Sequence, residues 1–369
     1  MTATADPVGM DPQALERVRG LFFQQIQSGL HPGAALAVYR HGRLVLDLSG
    51  GAADGRSEKP LTQDTMFVLY SSTKPLAAIC LYLLWERGQL QWDDPVAQHW
   101  PGFARNGKAG VTVRHVLTHL GGFPETPEEL TWDKWSDWDC IVRALEEVTP
   151  VYEPGTVIAY HPRNFGWVVA ELVRRIDGRP INQFLREEVT GPLGMQDTYL
   201  GLPEELEDRV SRLHAMEDCD RPGMVHNYNR PQVHRVVQPS GGGIATARDL
   251  ARFYAMLAGG GILDGTRILR RETVAEVVRP QVEGTDQTLA YYVRRSLGLS
   301  LNDPRTGVLQ PKDAAGAGTF GHAGAGTSVG WADPDLGLAV AYITNGFRAN
   351  RTNTPRLAAI SQAVRDACR

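Results

Sequence analysis

The sequence predicts an α/β protein: an antiparallel sheet flanked by terminal helices, with an all-helical lobe inserted between the chain ends that build it. Three observations carry this. Alternating apolar and polar residues of strand type occur near the N-terminus and return only from Ser296 onward. Helix-period stripes and helix punctuation fill most of the stretch between. Further helix signals open and close the chain. Residues 1–70 and 245–369 are therefore expected to form the α/β lobe, and residues 71–244 the helical one.

Asp11-Pro12 opens the first helix as cap and first-turn proline, Leu15, Val18, Phe22 and Ile26 form its stripe, and Gly29 ends it. Ala34 to Arg40 and Arg43 to Ser49 read as a hairpin about His41-Gly42. Leu76 to Trp85 is apolar on almost every face, which predicts a buried helix with Gly88 past its end. Pro75 belongs in a first turn, so that helix is expected to begin near Ser71 or Ser72. Asp94-Pro95 starts a short segment and Thr112 caps Val113 to His119. Asp139 to Val148, Asn164 to Ile176 and Pro180 to Val189 read as helices, and Thr246-x-x-Asp249 caps another. Strands follow at Ser296 to Leu301, Thr327 to Ala332 and Leu338 to Thr344. Thr354-Pro355 then starts a closing helix with Leu357, Ile360 and Val364 inward.

A length of 369 residues suits two lobes, and 42% hydrophobic with 22% charged residues is ordinary for a globular chain. A net charge of −4 recommends neither nucleic acid nor an anionic membrane as partner. Cys80, Cys140, Cys219 and Cys368 are widely spaced, which suggests neither a zinc site nor a disulfide framework. The first nine residues show no signal-peptide pattern and no run approaches a membrane span, so a cytoplasmic protein is expected.

Chemistry concentrates at Ser71-Ser72-Thr73-Lys74. At spacing three on one helix, Ser71 and Lys74 share a face. A serine hydroxyl needs a neighbour to take its proton, and a lysine can do so once desolvation depresses its pKa. Helix N–H groups there could hold an oxyanion. The bland alternative is a capping serine. Tyr160, in a short turn before the Asn164 helix, could relay protons beside a cation such as Lys74. Phe320-Gly321-His322-Ala323-Gly324-Ala325-Gly326 enters a strand whose small residues admit a substrate close to the backbone.

Other patterns match by letters only. Gly102-x-x-x-x-Gly107-Lys108 lacks the Ser/Thr of a phosphate loop and is expected to be a surface loop. Gly316-x-Gly318-x-x-Gly321 lacks the strand–helix context of a dinucleotide site. His115 and His119 have the spacing of a zinc pair but no Glu at 116, which favours a structural role. Trp132, Trp135 and Trp138 suit a substrate mouth or a core equally.

Ser71-x-x-Lys74, then Tyr160, then His322-x-Gly324 is the motif order of the penicillin-recognising serine hydrolases, and the chain resembles that superfamily, in particular the class C β-lactamase-like esterases (family VIII carboxylesterases). The likeness runs roughly from Pro32 to Gly346. It includes the scaffold-like stretches Val111 to His119, Pro192-Leu193-Gly194-Met195 and Trp331-Ala332-Asp333-Pro334. The resemblance implies a β-lactamase/DD-peptidase-like fold with the active site between the lobes. It implies Ser71 as acylated nucleophile, Lys74 and Tyr160 as proton-transfer pair, and the backbone N–H groups of Ser71 and Ala325 as oxyanion hole. His322, Ala323 and Gly324 would bind substrate, and no metal or organic cofactor is implied.

Two departures bear on substrate. Tyr160-His161-Pro162 lacks the Asn of the β-lactamase Tyr-x-Asn motif, and His322-Ala323-Gly324 replaces the permanent cation of Lys-Thr-Gly by a mostly neutral imidazole. Both weaken the grip on anionic amides and leave attack on an uncharged ester intact. A carboxylesterase of small to medium acyl esters is the leading expectation. An acyltransferase on the same acyl-enzyme, a β-lactam or D-amino-peptide hydrolase, and a non-catalytic binding protein are the alternatives. Acyl preference is expected to depend on Gly201 to Pro239, the tryptophan segment and the Asn302 to Gly318 loop.

Overall fold

The computed structural model describes residues 8–54, 59–301 and 318–368. Helix α1 (Pro12–Gln27) starts as expected, with the Asp11 carboxylate accepting the Gln13 N–H at 2.9 Å. Strands β1 (Gly33–Arg40) and β2 (Arg43–Gly51) follow as a hairpin. Then come α2 (Lys74–Glu86), α3 (Val113–Thr118), α4 (Trp138–Glu147), α5 (Asn164–Asp177) and α6 (Ala247–Ala258). The chain ends through β3 (Val282–Asp286), β4 (Tyr291–Arg295), β5 (Ser300–Leu301), β6 (Phe320–Gly324), β7 (Ser328–Asp333), β8 (Leu338–Thr344) and α7 (Asn350–Asp366).

These strands form one sheet in the order β2-β1-β8-β7-β6-β5-β4-β3, antiparallel at every pairing. The two chain ends meet next to the β2 edge of the sheet, where Ala37 on β1 lies opposite Ala341 on β8. β1 is buried on both faces, and its alternation divides two cores. Leu36 and Val38 join α1 and α7 residues such as Phe22 and Ile360, while Ala35, Ala37 and Tyr39 face the larger core that contains α6. Gly330 on β7 lets α6 approach, since a Cβ there would sit 2.3 Å from the Tyr254 ring. In α2, every residue from Lys74 to Leu84 is buried, as its all-round apolar surface requires.

Several boundaries differ from expectation. Ser71 lies in a 3₁₀ turn, Tyr70–Thr73, and the α-helix proper begins at Lys74. The closing helix begins at Asn350, so Pro355 is inside it. That costs one ladder N–H, and burial of Leu357, Ile360 and Val364 offsets it. The strand expected at Ser296–Leu301 shrinks to β5, because Ser296 donates to the Leu299 carbonyl around Gly298, whose φ is +79°. The β3–β4 hairpin was not anticipated. Nor was a small sheet of Phe67–Val68, Thr198–Leu200 and Gly243–Ala245, which joins segments far apart in the chain. Among the described residues, no helix is long and apolar enough to cross a membrane.

Candidate active site

Ser71, Tyr160, His322, Ala323, Gly324 and Ala325 line one cavity of about 430 Å³, although they come from three separate stretches of chain. Strand β6 is stitched to the Ser71 turn. Ser72 Oγ donates to the His322 carbonyl (3.0 Å) and lies 3.1 Å from Ser328 Oγ, which itself donates to the Leu69 carbonyl (3.0 Å). Gly324 makes the approach possible, since a Cβ there would stand 2.2 Å from the Leu69 oxygen. Tyr70, just before the serine, is held at φ +47°, a strained conformation for a bulky residue. Its ring is fixed between Tyr228 (4.8 Å) and Phe347 (5.6 Å), a surrounding that over-determines the turn.

Lys74 is fully buried. Its Nζ is 3.4 Å from Ser71 Oγ and donates to the carbonyls of Pro162 (3.0 Å) and Ser240 (3.1 Å). Burial, reinforced by the positive charges of Arg295 and Arg163, drives its pKa well below the ordinary lysine value. The Tyr160 ring lies 4.7 Å from Nζ, and its hydroxyl is buried without a hydrogen-bond partner. Burial pushes the phenol's pKa up, against a smaller downward pull from Ser71. His322 points Nδ1 at the Ala323 carbonyl (2.8 Å), leaving Nε2 buried and unpartnered. Burial first, then the charge on Lys74, pushes its pKa down to about 3, so the imidazole is neutral as expected.

His161, the middle residue of Tyr160-His161-Pro162, is tied into the scaffold by its backbone and Nε2, while its Nδ1 is buried without a partner. Its backbone N–H donates to His119 Nδ1 (3.1 Å), and its Nε2 accepts the Phe123 N–H (3.2 Å). His115 accepts the Thr112 N–H at 3.3 Å and completes a capping box on α3. These contacts give both His115 and His119 a structural role, the one favoured from the sequence.

The Gly102–Lys108 segment is a surface loop as expected, with Arg105, Asn106 and Gly107 exposed, but the side chain of Lys108 turns inward. It is fully buried, and its ammonium donates to the carbonyls of Arg105 (2.9 Å), Glu146 (2.9 Å) and Val148, thereby capping α4. Trp132 and Trp135 do not line the Ser71 cavity; they line a second one of about 370 Å³ with Arg163 and Tyr228. Trp138 donates instead to Glu171 at 2.8 Å. Gly316 and the Asn302–Gly318 loop up to residue 317 lie outside the described residues, while Gly321 of the Gly316 pattern lies in β6.

The β3–β4 hairpin supplies residues that sequence reasoning missed. Arg295 pairs with Asp286 at 2.9 Å, and its guanidinium sits 5.2 Å from the centre of the Tyr160 ring. Tyr291, Tyr292 and Val293 line the cavity. The run Tyr291-Tyr292-Val293, bounded by Gln287 to Ala290, was the available signal, because aromatic and β-branched residues favour strands.

A family model described as Beta-lactamase matches residues 18–365. The esterase/beta-lactamase LipL of Mycobacterium tuberculosis (strain ATCC 25618 / H37Rv) is 32% identical over 347 residues, covering 85% of this chain and 77% of LipL. The crystal structure of a family VIII carboxylesterase superposes with a TM-score of 0.87 at 30% identity, over 96% of this chain and 98% of that one. A penicillin-binding protein homolog from Caulobacter crescentus gives 0.85 at 32%, over 97% and 100%.

Proposed function

The chain belongs to the Beta-lactamase family, and we propose from that premise that it hydrolyses small to medium carboxylic esters through an acyl-enzyme on Ser71. The observation that carries this reading is the environment of Lys74. A neutral amine has two N–H bonds and one lone pair. The carbonyls of Pro162 and Ser240 accept two N–H bonds, and the third direction of Nζ, which as an ammonium donates to Ser71 Oγ at 3.4 Å, becomes a lone pair aimed at that hydroxyl once the amine is neutral. Burial favours this neutral form. Lys74 is thus the immediate base, and Tyr160, kept protonated by burial, the hydrogen-bond donor beside it.

Ser71 Oγ attacks the ester carbonyl as Lys74 takes its proton. The tetrahedral oxyanion is held by the backbone N–H groups of Ser71 and Ala325, each such donor contributing about 10²–10³ in rate. Collapse breaks the bond to the alcohol, which leaves with the proton from the Lys74–Tyr160 pair. Water then attacks the acyl-enzyme through the same relay in reverse. The neutral His322 supplies no fixed charge for a substrate carboxylate, which supports uncharged acyl groups.

Four unpaired cysteines are compatible with a reducing compartment, and we place the protein in the cytoplasm. The name of LipL also contains β-lactamase. Nitrocefin turnover rivalling ester turnover would make β-lactam hydrolysis the better reading.

The test is the initial rate on p-nitrophenyl butyrate for wild type and Ser71→Ala. The substitution is expected to lower kcat by about 10⁴ or more, as loss of a nucleophile does. A rate that survives it refutes the assignment of Ser71.

A further inference from the structure

The β3–β4 hairpin holds a buried ion pair to which the reaction scheme above gives no part. Asp286 and Arg295 meet at 2.9 Å with side chains 0% and 4% exposed. Burying two charges is expensive and a well-packed apolar pair would often be more stable, so stability is a poor reason for this one. Its contacts point toward the reaction centre. Asp286 Oδ1 accepts the backbone N–H of Tyr160 (3.0 Å), together with those of Thr288 (2.9 Å) and Leu289 (3.0 Å), while Oδ2 takes Arg295. The carboxylate thereby clamps the Tyr160 backbone to the hairpin. Gln287 reinforces the clamp by donating to the Ile158 carbonyl at 2.8 Å. The guanidinium lies 5.2 Å from the centre of the Tyr160 ring, and Lys74 Nζ lies 4.7 Å from the same centre. Arg295 also forms part of the wall of the cavity that contains Ser71.

We propose that Asp286 and Arg295 are positioning residues for acyl transfer on Ser71, and the proposal rests on that reading of the site. Asp286 sets where the Tyr160 phenol stands, and Arg295 holds a permanent positive charge beside the Tyr160–Lys74 pair. A guanidinium stays charged at any working pH. It disfavours a second positive charge on Lys74 and favours negative charge developing on the phenol oxygen. A proton taken from Ser71 is therefore passed on rather than stored. Asp286, paired with Arg295 at 2.9 Å, moderates the effect with its opposite charge.

The other titratable groups facing the pair and the Tyr160–Lys74 site are His119 from the end of α3, His161 and Arg163 from the loop before α5, Tyr291 from β4, whose phenol pKa is raised by burial, and His322 from β6. Burial is the first cause holding all three imidazoles down, with His161 and His322 at about 3. The permanent charges bearing on Lys74 are then Arg295, Arg163 and, through Arg295, Asp286.

The experiment is the pH profile of kcat/KM on p-nitrophenyl butyrate, from about pH 5 to about pH 10, for wild type, Arg295→Met, Arg295→Lys, Asp286→Asn and Ser71→Ala. Arg295→Met is expected to lower kcat about 10–100-fold with KM nearly unchanged, a cost in proportion to a misplaced catalytic group. Its acid limb should move up by about one pH unit, because a like charge beside Lys74 has gone. Asp286→Asn keeps an amide oxygen for the Tyr160 N–H but removes the negative charge, so its limb should move down. Arg295→Lys should bring the limb back toward wild type. A merely structural pair would alter stability and rate without moving the limbs in opposite directions. Limbs that stay within about 0.2 pH unit of wild type, or that move the same way, overturn the proposal. Should Arg295→Met fail to fold by circular dichroism, Asp286→Asn and Arg295→Lys decide by the same criterion. An inactive Ser71→Ala with unmoved limbs removes only the positioning role. An active Ser71→Ala removes the acyl-enzyme reading and this proposal with it.

Discussion

Gly324→Ala should separate the strand β6 from the nucleophile turn. The added Cβ would lie 2.2 Å from the Leu69 oxygen and 2.2 Å from Ser328 Oγ. An ordinary carbon–oxygen contact is about 1 Å longer, and close-packed interiors have little slack to supply it. Neither neighbour is free to yield. The Leu69 oxygen accepts from Ser328 Oγ at 3.0 Å, and the Leu69 N–H is tied to the Gly243 carbonyl at 2.8 Å. The strand must therefore withdraw by about 1 Å, and Ala325, the next residue, withdraws with it. A displacement of that size at a reacting centre costs about 10² in rate, similar to losing one oxyanion donor. Overpacking adds a stability loss of about 1–3 kcal/mol. The assay is kcat/KM on p-nitrophenyl butyrate together with a thermal melt. Activity within about threefold of wild type at an unchanged Tm would refute the placement of Ala325 as a donor whose position depends on this contact.

The depressed pKa of Lys74 gives two pH effects. Activity is expected to fall as pH drops through its folded value, since in the proposed scheme only the free amine accepts the Ser71 proton. The unfolded chain, with lysine near 10.5, binds a proton that the folded chain does not, so stability rises with pH up to about that value. Between about pH 7 and about pH 9 the wild-type Tm should gain on that of Lys74→Met; parallel Tm curves would contradict the shift. Lys108→Met leaves three carbonyls without their donor and should cost about 2–4 kcal/mol in denaturant unfolding, with ester kcat unchanged. Trp132→Ala should leave p-nitrophenyl butyrate turnover within about twofold, because its side chain lines the second cavity; a tenfold loss would join the two cavities functionally.

The β1–β2 hairpin, α2, α5 and β8 were legible from local signals of different kinds: a tight turn at His41-Gly42 in the hairpin, an apolar run with Gly88 past its end in α2, an apolar stripe with Gly178 past its end in α5, and the short apolar run Leu338 to Thr344 in β8. Motif order singled out Ser71, Lys74, Tyr160 and His322, and the fold brings these four together. The departures at His161 and His322 were legible too, and the neutral state of His322 follows the expectation drawn from its residue type. The errors fell where local signals are short or where a charged letter suggests solvent. Lys108 sits in a loop that is at the surface as expected, yet three carbonyls satisfy its ammonium in the interior.

The chain by itself determined which groups could do the chemistry, because nucleophile, base and phenol are properties of residue type and order. Tertiary structure alone decided what those groups are in protonation and in reach. The depressed pKa of Lys74 comes from burial by segments up to 166 residues away, as its bond to the Ser240 carbonyl records. The pair Asp286–Arg295 acquires its meaning only when a hairpin 126 residues downstream closes on Tyr160. Desolvation and Coulomb interaction depend on distance in space, and no pattern along a chain encodes that distance until the sheet has brought its ends together.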